Sequence, residues 1–366
     1  MRVLVTGATG YVGAFTMKAL AEAGHEPVAF ARSLERLDAV ATALSMPRPD
    51  HRLGDMRDRR AVRTALEGCD AVIHCAALVT MDRRAEREMI EGNLEGTRAV
   101  LEQAVELGLD PIVHTSSTSA LFEPGAGVLT ADHPIGAAKM AYARSKAACE
   151  AVARGLQERG APITITYPSG ILGPSAGTSL GETATQMAGF VAGGVMPTDR
   201  AALSIIDVRD LAALNAALIE PGRGPRRVMC GGHLVTMELL AETLRDLTGR
   251  RFPVPRTPPG VLRGAGRLVD AVRAVVPFDS AMTYEAMALV TNWEGTDDAS
   301  MRAAGVRIRP LRDTFVESLS AWADAGLVTE RHLGRFRPAT PLPPAPPRGL
   351  RLPGWVMGSA ALRAIG

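Results

Sequence analysis

Along the first half of the chain, short apolar runs alternate with longer stretches in which apolar residues recur every three or four positions. Val3–Thr6, Pro27–Ala31, Asp70–Cys75, Pro111–Ser116 and Ile163–Tyr167 are β-rich runs of strand length. Between them, Tyr11–Ala23, Ser33–Leu44, Asp58–Glu67, Ala85–Leu107 and Ala138–Arg159 carry the helical period. Strands buried on both faces, separated by amphipathic helices, predict a parallel sheet with crossovers on both sides. Because such crossovers are right-handed, the expected fold class is α/β, a doubly wound open sheet.

After Pro168 the pattern loosens. Glycine-rich segments (169–181, 189–194) lead to a strand at Ser204–Asp207, a helix at Val208–Ile219, a strand at Arg227–Cys230 and a helix at Met237–Leu247. Residues 1–168 with about 203–232 are expected to form one unit. Residues 169–202 with about 233–330 are expected to form a smaller α+β domain. Between 261 and 276, Val261, Leu262, Ala265, Leu268, Val269, Val272, Val275 and Val276 fall at helical spacing with Arg263, Arg267 and Arg273 among them. That helix packs as part of a lid-like second domain, or it lies on a membrane surface through residues 258–277. Seven prolines between Pro338 and Pro353 mark residues 335–366 as a semi-rigid tail, whose apolar end (355–365) docks on the body or on a partner.

Composition narrows the function. The 366 residues are 46% hydrophobic with a net charge of +2, which fits a globular protein and argues against a nucleic-acid binder. No apolar run reaches the roughly 18–20 residues of a membrane span, and no signal-peptide pattern opens the chain. Cysteines 69, 75, 149 and 230 form no Cys-x-x-Cys pair, so a cytoplasmic location without disulfides is expected. Seven scattered histidines lack metal-ligand spacing, and no metal is expected.

Thr6-Gly7-Ala8-Thr9-Gly10-Tyr11-Val12-Gly13 lies between the first strand and the first helix. Gly7 suits a tight turn, Gly10 a close backbone approach to a pyrophosphate, and Gly13 close helix–strand packing. The free N–H groups of the helix start favour an anion there. At the end of the second strand no acid stands between Val28 and Ser33, and Arg32 does. A cation receives a 2′-phosphate, so NADP is expected; Glu35 is the acid that would favour NAD instead. Asp55 and Met56, near the end of a further strand, fit an adenine pocket, and Asp55 equally fits a helix N-terminal acid before Arg57–Leu66.

Tyr142-Ala143-Arg144-Ser145-Lys146 places a phenol and an ammonium four residues apart on one helix face. The chain has four tyrosines and only three lysines among 41 basic residues, so a lysine kept at this spacing is informative. A compact ammonium beside a phenol stabilises the ionised phenol and makes it useful for proton transfer. The hydroxyls of Ser117 and Thr118 follow the fifth strand, where open parallel sheets bind ligands, and fit a role in holding a substrate oxygen.

From about Arg2 to Ala325 these motifs resemble the extended short-chain dehydrogenase/reductase family, and most closely its dihydroflavonol-reductase and 3β-hydroxysteroid-dehydrogenase-like branch. The resemblance implies a Rossmann dinucleotide-binding domain, a substrate domain and possible homodimers through the helices at 85–107 and 138–159. It makes Tyr142 the proton donor and acceptor, gives Ser117 the substrate oxygen and gives Lys146 the nicotinamide ribose. Ala76 and Ala77, in His74-Cys75-Ala76-Ala77, match the family's fourth-strand motif, and Asn93 matches its helix asparagine. Pro168 and Ile171 match the segment passing the nicotinamide, and Leu78 joins Thr118 as a candidate substrate contact. Arg32 and Ser169 depart from the nucleotide-sugar epimerase branch, which usually retains NAD. The expected function is NADP-dependent hydride transfer to or from a carbonyl or secondary alcohol of a small apolar substrate. The alternatives are an epimerase or dehydratase with tightly bound NAD, and a non-catalytic dinucleotide sensor or scaffold.

Overall fold

A computed structural model describes residues 1–80, 83–137, 140–177, 179–275 and 282–338. β1 (Arg2–Thr6) leads through the glycine turn into α1 (Tyr11–Glu22). The same unit repeats through β2 (Glu26–Ala31), α2 (Leu34–Ala43), β3 (Asp50–Leu53), α3 (Arg59–Leu66) and β4 (Ala71–His74). It continues with α4 (Glu86–Glu106), β5 (Ile112–Thr115), α5 (Ala141–Glu158) and β6 (Ile163–Pro168). Then come β7 (Gly170–Leu172), α6 (Glu182–Gly193), β8 (Ala202–Asp207), α7 (Val208–Ala217), β9 (Arg226–Cys230), β10 (His233–Thr236) and α8 (Met237–Thr248). The last helices are α9 (Pro259–Val275), α10 (Tyr284–Thr291), α11 (Ala299–Ala303), α12 (Leu311–Asp324) and α13 (Glu330–Leu333).

Seven strands form one parallel sheet in the order β3-β2-β1-β4-β5-β6-β9. Alternation along β1 explains its two-sided burial. Val3 and Val5 join Met17 and Leu211 on the α1/α7 face, whereas Leu4 joins Val72, Leu101 and Leu156 on the α4/α5 face. Helix starts follow local chemistry: Ser33, Asp58, Asp207 and Thr236 each accept a backbone N–H at the start of α2, α3, α7 and α8. α3 therefore begins at Arg59 behind Asp58, not behind Asp55. α5 begins at Ala141; residues 138–139, where a start was expected, lie outside the described set.

A second sheet of three strands, β10-β8-β7, seats a core of its own around Phe315, Leu319 and Trp322 of α12. β8 belongs to this sheet while α7 and β9 return to the large one, so the sheet boundary does not coincide with the expected break at residue 203. A run of three residues, as in β7, or of four with half of them polar, as in β10, carries little period-two signal, and the sequence pattern does not reveal either strand. The two bodies are tied by a polar bond to a buried carboxylate: Arg309, just before α12, donates its N–H to Asp210 of α7 at 2.7 Å. Within the small body Asp207 accepts from Thr314 Oγ1 at 2.9 Å and pairs bidentately with Arg209, and beside the large sheet Asp298 accepts the N–H groups of Gly231 and Gly232 at 3.0 and 2.7 Å. The tail from residue 339 lies outside the described residues.

Candidate active site

All strands of the large sheet are parallel, so the residues following them gather along one edge. Strand order reverses between β1 and β4, which opens a crevice at that point. Its floor is the contact of Gly7 with the backbone of Ala76. Gly7 has φ +70°, and a Cβ there would lie 2.8 Å from Ala76 Cα and N. A Cβ on Gly13 would lie 2.3 Å from the carbonyl oxygen of Gly7, so the helix can start this close to the turn only with glycine. Gly10 has only that carbonyl near it and heads α1 without any side-chain cap, leaving the first-turn N–H groups of Tyr11, Val12 and Gly13 open. Thr9 is in the same turn. The Tyr11 side chain turns inward: it is buried edge-on to Phe15, and burial together with nearby Asp207 raises its phenol well above the ordinary range. Its side chain is therefore part of the core, and only its backbone N–H lies at the turn.

Beyond β2, Arg32 is exposed and makes no hydrogen bond among the described residues. Asp55, past β3, is held by Arg57 through the backbone N–H (2.9 Å), Nε (3.0 Å) and Nη2 (2.9 Å). Those bonds, with burial opposing them, lower its carboxyl below the usual range. Met56 lies against Gly96 of α4, where a Cβ would come within 2.6 Å of its side chain. Ala76 N donates to Thr6 Oγ1, and Ala77 and Leu78 follow on the same loop. Asn93 of α4 clamps that loop: its Oδ1 accepts from Leu78 N at 2.6 Å and its Nδ2 donates to Leu78 O at 2.9 Å. The same Nδ2 donates to Ser145 Oγ on α5 at 2.9 Å, tying loop, α4 and α5 together.

α5 carries both Tyr142 and Lys146. Lys146 is buried, and its Nζ donates to the Thr115 carbonyl at the end of β5 at 3.1 Å. Tyr142 sits one turn earlier, half-buried. Ser117, two residues beyond Thr115, is buried with its Oγ accepting from Ser119 N at 3.2 Å, so its own hydroxyl proton stays available, and Thr118 is buried beside it. At the end of β6, Pro168 is buried, the Ser169 hydroxyl is buried without a partner, and Ile171 packs from β7 against the α1-side core.

Behind these groups lies a polar layer that sequence reasoning did not find. Glu150, one turn beyond Lys146, is fully buried and accepts from Ser116 Oγ (2.7 Å), Tyr167 OH (2.6 Å) and Arg154 Nε (2.7 Å). Arg154 also donates to the His133 carbonyl and to Tyr167 OH. His74 and His114, on β4 and β5, stack with ring centroids 5.4 Å apart. Burial, with the Lys146 ammonium adding to it, pushes His74 down to about 3 and holds His114 well below the ordinary range, so both rings are neutral. The histidine positions were visible in the sequence; their pairing across two strands was not.

This geometry can be set beside known proteins. A family model described as NAD dependent epimerase/dehydratase family matches residues 3–231. The chain belongs to that family. It is an enzyme, and the members of this family depend on NAD or NADP. The sterol demethylase protein B of Methylococcus capsulatus is 29% identical over 358 residues, covering 90% of this chain and 100% of the relative. A 4-hydroxy-2-methyl-3-oxo-4-farnesyl-3,4-dihydroquinoline-1-oxide ketoreductase of Stigmatella aurantiaca is 27% identical over 339 residues, 89% of this chain and 98% of that one. Among solved structures of this epimerase/dehydratase fold, UDP-glucose-4-epimerase from Stenotrophomonas maltophila with bound NAD superposes with a TM-score of 0.67. It is 19% identical and covers 88% of this chain and 97% of its own. No helix among the described residues is long and apolar enough to cross a membrane. Nor do they hold a group of three or more side chains suited to a metal ion.

Proposed function

We propose that this epimerase/dehydratase-family enzyme is an NADP-dependent oxidoreductase acting on the carbonyl or secondary alcohol of a small apolar molecule. The observation that carries the reading is the fixing of Lys146 on the Thr115 carbonyl. It sets Tyr142 one helical turn away and Ser117 two residues further along the same strand end. A relative named as a ketoreductase and another named for a sterol both point to apolar substrates.

The residues present fit a dinucleotide. The uncapped start of α1 above Gly7 and Gly10 suits a pyrophosphate, Arg32 suits a 2′-phosphate, and the orphan Ser169 hydroxyl lies past β6 where a nicotinamide would pass. Asp55 keeps one acceptor position on Oδ2 for an adenine amino group once Arg57 has taken the rest. The nicotinamide ring, when bound, supplies or accepts the hydride. Among the described residues Lys146 spends one N–H, on Thr115, and has two left, enough to hold ribose hydroxyls. Ser117 donates its free proton to the substrate oxygen, and Tyr142 gives that oxygen a proton during reduction or removes it during oxidation. Leu78, Thr118 and Ile171 are the candidate substrate and nicotinamide contacts, and Asn93 sets the position of Leu78 through both of its backbone groups.

The test is consumption of NADPH with a panel of ketones that includes sterol ketones, followed by loss of NADPH absorbance. Turnover on any apolar ketone supports the reading. No consumption across the panel, together with release of bound NAD⁺ on denaturation, overturns it in favour of an epimerase.

A further inference from the structure

We infer that the outward side of α9 is a contact surface for an anionic lipid membrane. A surface helix of a globular protein normally turns its charged side to water. α9 does the reverse: Val261, Gly264, Leu268 and Val272 fall three or four residues apart on its exposed side. Their apolar side chains are well exposed, with 60% for Val261, 67% for Leu268 and 44% for Val272. A Cβ added at Gly260 or Gly264 would meet nothing within 4 Å, so no described part of the chain covers this side. Arg267 is the one charged residue exposed there, and it stacks over the Tyr284 ring at 4.7 Å.

The inner side of α9 is where its specific packing lies. Gly266 abuts the backbone of Tyr284, and Asp270 accepts the Tyr284 N–H at 2.9 Å. α9 is thus fixed by α10, with its apolar stripe facing away from the body.

Charge decides among the possible occupants. From Arg251 to Val275 there are five arginines and one carboxylate, Asp270, in a chain whose net charge is only +2. A second copy would bring an equally cationic stretch against this one. The chain's own segment from 339 to 366 carries three arginines and no carboxylate, so it is a like-charged occupant as well. An anionic bilayer matches both features: the apolar stripe enters the acyl boundary while Arg267, exposed beside it, and Arg251 and Arg256, exposed on the approach to α9, reach the headgroups. The inference rests on the surface chemistry of α9 and is independent of the catalytic reading.

Flotation of the full chain with phosphatidylcholine vesicles, with or without phosphatidylglycerol, tests it, alongside a Leu268→Glu/Val272→Glu variant and a Trp355→Glu/Leu362→Glu variant. The expected result is flotation with the anionic vesicles only, weakened by added salt. The α9 variant should lower partitioning by about tenfold or more while keeping the wild-type melting temperature. Absence of flotation with either vesicle overturns the inference. So does equal partitioning of the α9 variant, or loss confined to the tail variant. A dimer that the α9 variant dissolves, with no vesicle binding, also overturns it in favour of a second copy.

Discussion

The two halves of α5 face the same strand end with opposite bonding. In the first half, Lys146 has one hydrogen-bond partner among the described residues, and the Tyr142 phenol is half-buried. In the second, Glu150 is fully buried and accepts from three partners, Ser116, Tyr167 and Arg154. A buried group engaged by several partners of its own fold holds the fold, whereas one with most of its capacity left over can bind and move protons. Through Ser116, the heavily bonded half fixes the strand end that carries Ser117, so the second half positions what the first half uses.

The sharpest way to break this contrast is to empty the heavily bonded half. Glu150→Ala strips three donors of their acceptor and leaves the Arg154 charge facing a buried gap, which should cost about 3–5 kcal/mol of stability in urea unfolding. Glu150→Gln, which keeps two of the three contacts, should lose less. If Glu150→Ala unfolds at the wild-type midpoint, the group is not structural.

A smaller effect comes from the neutral histidines beneath Lys146. Both folded values lie below the ordinary 6.5, that of His74 at about 3, so the unfolded chain binds more protons as pH falls below 6.5. Stability is complete above pH 6.5 and falls as pH drops through that window, by about 2 kcal/mol at about pH 5 for His74 alone. Urea midpoints measured from neutral to mildly acidic pH should show this slope, and His114→Leu should lessen it. An unchanged slope would mean that His114 is not held below its ordinary value in the folded chain.

The smallest effect belongs at the far end of the crevice. Arg32 makes no hydrogen bond among the described residues, and its charge helps to lower the Asp55 carboxyl. Arg32→Ala should weaken NADPH binding about tenfold and leave NADH binding unaltered, measured by cofactor fluorescence. Equal loss for both cofactors would assign it no part in 2′-phosphate recognition.

Much of this arrangement is legible in the sequence because it is local. Strand and helix periods mark β1, β2, β4, β5 and β6 with their crossovers, while β3, Asp-His-Arg-Leu, carries no such period. The glycine turn and Tyr142–Lys146 are short-range spacings whose physics survives without coordinates. What is hidden is long-range. Glu150 reads as an ordinary helical carboxylate until β5 and β6 bring Ser116 and Tyr167 to it. Asp55 reads as free for an adenine until Arg57 folds back on it. α9 has the period of a packed helix, and only the fold shows Leu268 and Val272 turned outward.

The division of labour along α5 is tested most directly by Tyr142→Phe, with turnover, NADPH binding and melting temperature measured on the same preparation. Removing one hydroxyl from a half-buried side chain should leave melting and NADPH binding at wild-type values while turnover falls by about a thousandfold. Turnover within a few-fold of wild type, on a ketone the wild type reduces, would contradict the account.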